Sequence, residues 1–261
     1  MFIKKEAKYQ NLLVSGCSFT YNKDTDGPYA WPNVLASWYD LTLHNLAVPG
    51  AGNTHISNSI QFYLEQHKDL TPDNTLILVM WSGPGRIDWI TDSSLSNFSD
   101  IYPVAHEYVP GCELVCGGHW WHLRNPSHLL QTLAEYSKYQ SETSFAVHTW
   151  MAMTSLSNYL KVNGYDYYYT SFVDLSNPIE HDTNVSDFFS ELQQLKLDFD
   201  SSRWISNRQD EYLGDFAKSR NMLNPDKFHP SMEGHELWLT DVLVPKLQNK
   251  DILGTLDKRV N

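Results

Sequence analysis

Leu76-Ile-Leu-Val-Met-Trp81 is the longest uninterrupted apolar run in the chain. A run this short with no polar residue reads as a strand covered on both faces. The turn formers Thr71-Pro-Asp-Asn74 precede it and Ser82-Gly83-Pro84-Gly85 follow it. It is far short of the roughly 20 residues that cross a bilayer. Three further stretches read as strands: Asn11–Ser15, Leu41–Val48 and Tyr165–Phe172. Helical patterns lie between them. One covers Trp31–Trp38 with Pro32 in its first turn, and a second runs from a capping Asn53 to His67. A third spans Ser141–Val162, where Ala146, Trp150, Met153, Leu156 and Leu160 recur at helical spacing. Two acidic helical stretches, near Val185–Phe199 and Gln209–Arg220, precede a last helix capped by Ser231 and running to about Leu247. Strands alternating with helices predict βαβ units on a mainly parallel sheet, hence a three-layer α/β/α fold.

The rhythm breaks after Arg86. Asp92–Asn125 reads as a loop rich in Ser, Gly, His and aromatics, and a helix is expected over Ser127–Tyr136. No repeat, low-complexity tract or Gly/Ser linker divides the chain, so residues 1–261 are read as one domain with an aromatic-rich insertion at about 88–140. Nineteen basic against 31 acidic residues give a formal charge of −12, without the basic footprint of a nucleic-acid binder. Three cysteines are too few for a disulfide framework, and no secretory leader is evident. The expectation is a reduced, cytoplasmic protein without membrane insertion. Nine tryptophans and an aromatic content of 13% are high; rings of this kind fill cores, and a surplus of them is also what a protein stacking on flat sugar faces would carry, so composition leaves both readings open.

Three motifs carry chemistry. Gly16-Cys17-Ser18-Phe19-Thr20 closes the first strand, and the carboxyl ends of parallel strands are where such sheets bind ligands. Asn45-Leu-Ala-Val-Pro-Gly50 follows the second strand, and Asp226-Lys-Phe-His229-Pro-Ser231 precedes the last helix. Serine attacks only when a base removes its proton, and a histidine base works best when a carboxylate fixes its tautomer. Asp226 and His229, three residues apart, can be presented by one turn.

These blocks, in this order, resemble those of the GDSL/SGNH hydrolases, serine esterases and acyl-transfer enzymes on a flavodoxin-like sheet. The resemblance implies that Ser18 is the nucleophile, His229 its base and Asp226 the partner of His229. It also implies an oxyanion hole from the amides of Ser18 and Gly50, and no cofactor. The chain departs from the family pattern twice. Cys17 stands where the family usually has Asp, and Trp81-Ser82-Gly83-Pro84-Gly85-Arg86 replaces the block whose asparagine donates to the oxyanion. Asn53 and Ser82 are candidates to replace that donor, and Arg86 is a candidate source of positive charge.

The reading is therefore a serine esterase of SGNH type that removes small acyl groups such as acetyl, from a carbohydrate or other small ester. Arg86, Trp81, Trp120 and Trp121 are candidate substrate contacts. The same triad would serve an acyltransferase. A further alternative is a non-catalytic sugar-binding or virion module, because such GCSFT variants resemble phage-encoded members. Cys112, Cys116, His119 and His122 form a Cys-x3-Cys-x2-His-x2-His group that could hold zinc. Its spacing is unusual, and the expectation is no metal, with Trp120 and Trp121 walling a cleft. Cys17 is expected to be a buried apolar filler and His235 an exposed helix residue. The oligomeric state is left open.

Overall fold

The computed structural model describes residues 2–3, 8–21, 30–92, 112–118, 142–173, 175, 200–206, 208–254 and 257–258. In chain order it contains β1 (Phe2–Ile3), β2 (Asn11–Ser15), α1 (Trp31–Tyr39), β3 (Thr42–Asn45), α2 (Asn53–Gln66) and β4 (Thr75–Trp81). Then come β5 (Arg86–Asp92), β6 (Cys112–Gly118), α3 (Glu142–Val162), β7 (Asp166–Ser171), α4 (Leu213–Ser219) and α5 (Met232–Trp238). A π-helical segment, Leu239–Leu243, joins α5 to α6 (Val244–Gln248), and β8 (Asp257–Lys258) pairs with β1. Proline at 245 has no N–H to give, and the wider π turn sits just ahead of it.

Four strands form one parallel sheet in the order β3-β2-β4-β7. β4 is buried at every position, as its unbroken apolar run requires, whereas the edge strand β3 is only half-buried. Successive crossovers run from β2 outward to β3 and then back across to β4. Right-handed connections in opposite directions place α1 and α2 on opposite faces of the sheet. α2 packs against α3 and α1 against α5, completing a layer on each side. The reversal falls between β2 and β4, so a crevice opens outside their carboxyl ends. Gly16–Thr20, Pro49–Gly52 and Ser82–Arg86 all emerge there.

Two expectations need correction. Gly52, not Asn53, is the cap of α2, and no side chain performs the capping there. The region after Arg86 is not all loop: Arg86–Asp92 and Cys112–Gly118 pair as an antiparallel ribbon, with Arg86 opposite Gly118 and Asp88 opposite Cys116. The expected helices over 127–136 and 185–199 lie outside the described residues.

Candidate active site

The turn after β2 explains why Ser18 alone of its neighbours faces the crevice. Cys17 and Phe19 are buried, Ser18 is half-buried, and the Cys17 carbonyl accepts from the amides of both Thr20 and Tyr21 at 2.9 Å. Gly16 is dictated by close approach. A Cβ there would sit 2.3 Å from Thr20 Oγ1 and 3.1 Å from the Met80 carbonyl.

Asn45 ties the second loop to the first. Its Nδ2 donates to the Thr20 carbonyl at 3.0 Å, and its Oδ1 accepts from the Ala47 amide at 3.0 Å. The Val48 amide donates to Gly16 O, so the loop stays zipped to the Ser18 turn before reaching Gly50. Gly50 adopts φ 82°, a left-handed conformation that glycine enters without steric cost. Among the described residues, the amides of Ser18 and Gly50 donate to no protein acceptor.

The third loop presents Asp226 and His229 as one unit. Asp226 Oδ1 accepts from the amides of Phe228 (2.9 Å) and His229 (3.0 Å), while Oδ2 accepts from His229 Nδ1 at 2.5 Å. His229 Nε2 then lies 2.8 Å from Ser18 Oγ. With its Nδ1 proton donated to the carboxylate, the ring offers Nε2 as the acceptor for the serine proton. Partial burial works against the charge on Asp226, but the His229 ring and the two amides outweigh it and hold the carboxyl below its usual range. Phe19 and Phe228 flank the imidazole, each with its centroid 5.1 Å from it, and Phe172 stacks on Phe19 at 4.3 Å. Phe172 and Phe228 were not read from the sequence as part of the site.

The structure does not bring every candidate into play. Asn53 and Ser82 lock onto each other instead of facing the crevice. Asn53 Nδ2 donates to Ser82 O (2.9 Å) and Thr149 Oγ1 (3.0 Å), and its Oδ1 accepts from the Ser82 amide (2.8 Å) and hydroxyl (3.3 Å). Both are buried and their donors are spent, so neither is free to replace the family's asparagine. Trp81 is fully buried edge-on to Tyr169, so it belongs to the core and not to a cleft. His235 is buried, not exposed. Burial above all, with a smaller contribution from His229, pushes its pKa down to about 4.

Arg86 does reach the second loop, donating from Nη1 to Ala51 O at 3.3 Å. Asp88, which the sequence did not single out, grips the same loop: its carboxylate accepts from Gly52 N at 2.6 Å and His55 N at 2.7 Å. Those amides open α2, where a negative charge is favoured. Trp120, Trp121, His119 and His122 lie outside the described residues, and Cys112 and Cys116 fall on β6. Among the described residues, no group of three or more His, Cys, Asp or Glu could hold a metal ion, and no helix is long and apolar enough to cross a membrane.

A family model described as a family of unknown function, DUF6071, matches residues 20–257. No curated protein matches the chain in sequence. Among solved structures, the psychrotrophic esterase EstA from Pseudoalteromonas sp. shares 12% identity, over 92% of this chain and 98% of that one, with a TM-score of 0.50. A structure of TesA is 12% identical, with coverage of 92% and 99% and a TM-score of 0.49. A lipolytic protein of the G-D-S-L family from Veillonella parvula is 10% identical, with coverage of 92% and 96% and a TM-score of 0.47. The likeness to EstA is one of fold, an α/β arrangement about a parallel sheet. None of these matches supports a phage origin.

Proposed function

The chain belongs to DUF6071, a family of unknown function, and for it we propose ester hydrolysis through an acyl-enzyme on Ser18. The observation that carries this reading is the hydrogen-bonded line Ser18 Oγ–His229 Nε2–Nδ1–Asp226 Oδ2, at 2.8 and 2.5 Å. The fold shared with an esterase, EstA, is consistent with it.

In this reading the Ser18 hydroxyl proton passes to His229 Nε2 as Oγ attacks the ester carbonyl carbon. The carbonyl oxygen becomes the oxyanion and meets the unclaimed amides of Ser18 and Gly50. Asp226 stays ionised and stabilises the imidazolium. Collapse breaks the bond to the alkoxide, which takes the proton from His229 and leaves. Water then gives a proton to Nε2 and attacks the acyl carbon, and the returning proton frees Ser18 with release of the acid. With Asn53 and Ser82 committed to each other, the hole is a two-amide one. Each missing donor typically costs about 3 kcal/mol of transition-state stabilisation, so catalysis slower than that of a three-donor site is expected. A sugar as the alcohol part rests on Trp120 and Trp121, outside the described residues.

The test is hydrolysis of 4-nitrophenyl acetate by the wild type and by Ser18→Ala. Turnover abolished in Ser18→Ala with an unchanged melting temperature supports the reading. Equal turnover in both proteins removes it.

A further inference from the structure

Arg86 is the charged residue of the crevice that this mechanism leaves unused. It opens β5, just after the Ser82–Gly85 loop that leaves β4 at the carboxyl edge of the sheet, the edge that also carries Ser18 and Gly50. Its guanidinium lies 5.3 Å from the centroid of Phe172, which stacks on Phe19 beside His229. One of its five N–H groups reaches Ala51 O at 3.3 Å, next to Gly50. Among the described residues, the other four meet no protein acceptor and no carboxylate oxygen lies within 4 Å of the group.

Two of the four described arginines have carboxylate partners. Arg203 pairs with Asp166 and Asp200, and Arg208 with Asp210 and Glu211. Arg220 also lacks a carboxylate, but it lies exposed, where water solvates it. Arg86 is half-buried against an aromatic face, so part of its hydration is lost without an ionic partner in return. The acid nearest in sequence, Asp88, is spent on the amides of Gly52 and His55. A guanidinium held on one side by the Ala51 carbonyl and lying over an aromatic ring, with its remaining N–H groups open, is preorganised for a bidentate anion.

We propose that Arg86 selects substrates that carry a carboxylate on the acyl side of the ester. The carboxylate would meet the open fork while the ester carbonyl lies between Ser18 and the Ser18 and Gly50 amides. The protein's overall charge of −12 repels anions in general, so the preference must come from this one local contact. It should therefore weaken as salt rises. This assignment rests on the ester-hydrolase reading for its kinetic arm only.

The kinetic arm compares 4-nitrophenyl hydrogen succinate and hydrogen glutarate with the neutral 4-nitrophenyl butyrate and valerate. The wild type should favour the anionic ester in at least one pair, and the kcat/KM ratio of anionic to neutral ester should fall about tenfold or more in Arg86→Gln. Arg86→Lys, which keeps the charge but not the fork, should retain part of the ratio. A wild type with no anionic preference, or a ratio unchanged by Arg86→Gln, overturns the proposal. So does an equal loss on both esters, which would make Arg86 an oxyanion or structural group. The binding arm titrates Ser18→Ala, with and without Arg86→Gln, against monomethyl succinate and methyl butyrate by NMR. Tighter binding of the anion that disappears with Arg86→Gln supports the proposal even where no ester is turned over. Equal binding of the two ligands refutes it, whereas lack of turnover with the anion preference intact counts against the hydrolase reading alone.

Discussion

His235 gives the fold a pH dependence that can be worked from its surroundings. The residue is 7% exposed, its Nδ1 has no hydrogen-bond partner among the described residues, and burial brings its pKa to about 4 from the ordinary 6.5. The unfolded chain therefore binds more protons than the folded one between pH 6.5 and 4, so stability is full above 6.5 and is lost as pH falls through that window. The whole shift corresponds to about 3 kcal/mol, of which about 2.5 kcal/mol is gone by pH 4.5. For a chain of this size that is a drop of roughly 5–10 °C in melting temperature. His44 and His55 are also held low, chiefly by burial, and add to the slope of the wild type. Asp166, Asp200 and Asp226 have lowered pKa values instead, and they withdraw stability only below the ordinary carboxylate range. The assay is urea unfolding of wild type and His235→Leu at pH 7.0, 6.0, 5.0 and 4.5. Leucine is similar in size and removes the unpartnered nitrogen, so the variant should match the wild type at pH 7 and exceed it by about 2 kcal/mol at pH 4.5. Parallel pH profiles for the two proteins would refute the reasoning.

Four further outcomes follow from the site. Asn53→Ala strands the Ser82 amide and carbonyl and the Thr149 hydroxyl in a buried setting, and should cost about 2–4 kcal/mol by denaturant unfolding; a large fall in kcat at unchanged stability would instead make Asn53 an oxyanion donor. Gly16→Ala drives a Cβ into Thr20 and the Met80 carbonyl, so calorimetry should show a loss of about 1–3 kcal/mol together with reduced turnover. His229→Ala should fall to the activity of Ser18→Ala, because it removes the proton carrier. Asp226→Asn should keep measurable kcat/KM, because the carboxylate only orients and stabilises the ring.

The sheet was legible because its strands announce themselves: Leu76–Trp81 is apolar throughout, as a strand covered on both faces must be. That same run contained the evidence that Trp81 is core, since nothing polar separates it from Met80. His235 also carried a signal, standing at helical spacing with Trp238, Leu239 and Val242 on the buried stripe of the last helix. Ser18, Gly50, Asp226 and His229 were singled out because they sit in short local motifs, a tight turn or an i, i+3 pair, and the roles proposed for them came from the resemblance those motifs carry. What could not be read depends on partners remote in sequence. Thr149 meets Asn53 across 96 positions, and Asp88 meets Gly52 across 36. No local pattern told that Asn53 spends its amide on the core, and none told that Asp88 braces the Gly50 loop. The β5–β6 ribbon was missed because Cys112–Gly118 mixes apolar residues with two glycines and lacks strand alternation.

The central claim is that His229 activates Ser18 as a nucleophile. A fluorophosphonate probe reports this directly, because its phosphorus is attacked only by a serine whose proton has a base to go to. Intact-mass spectrometry after incubation with the probe should find one adduct per wild-type chain, mapped by peptide analysis to Ser18. Labelling should be absent in Ser18→Ala and nearly absent in His229→Ala. An unlabelled wild type, or an adduct that persists at another residue in Ser18→Ala, would contradict the account.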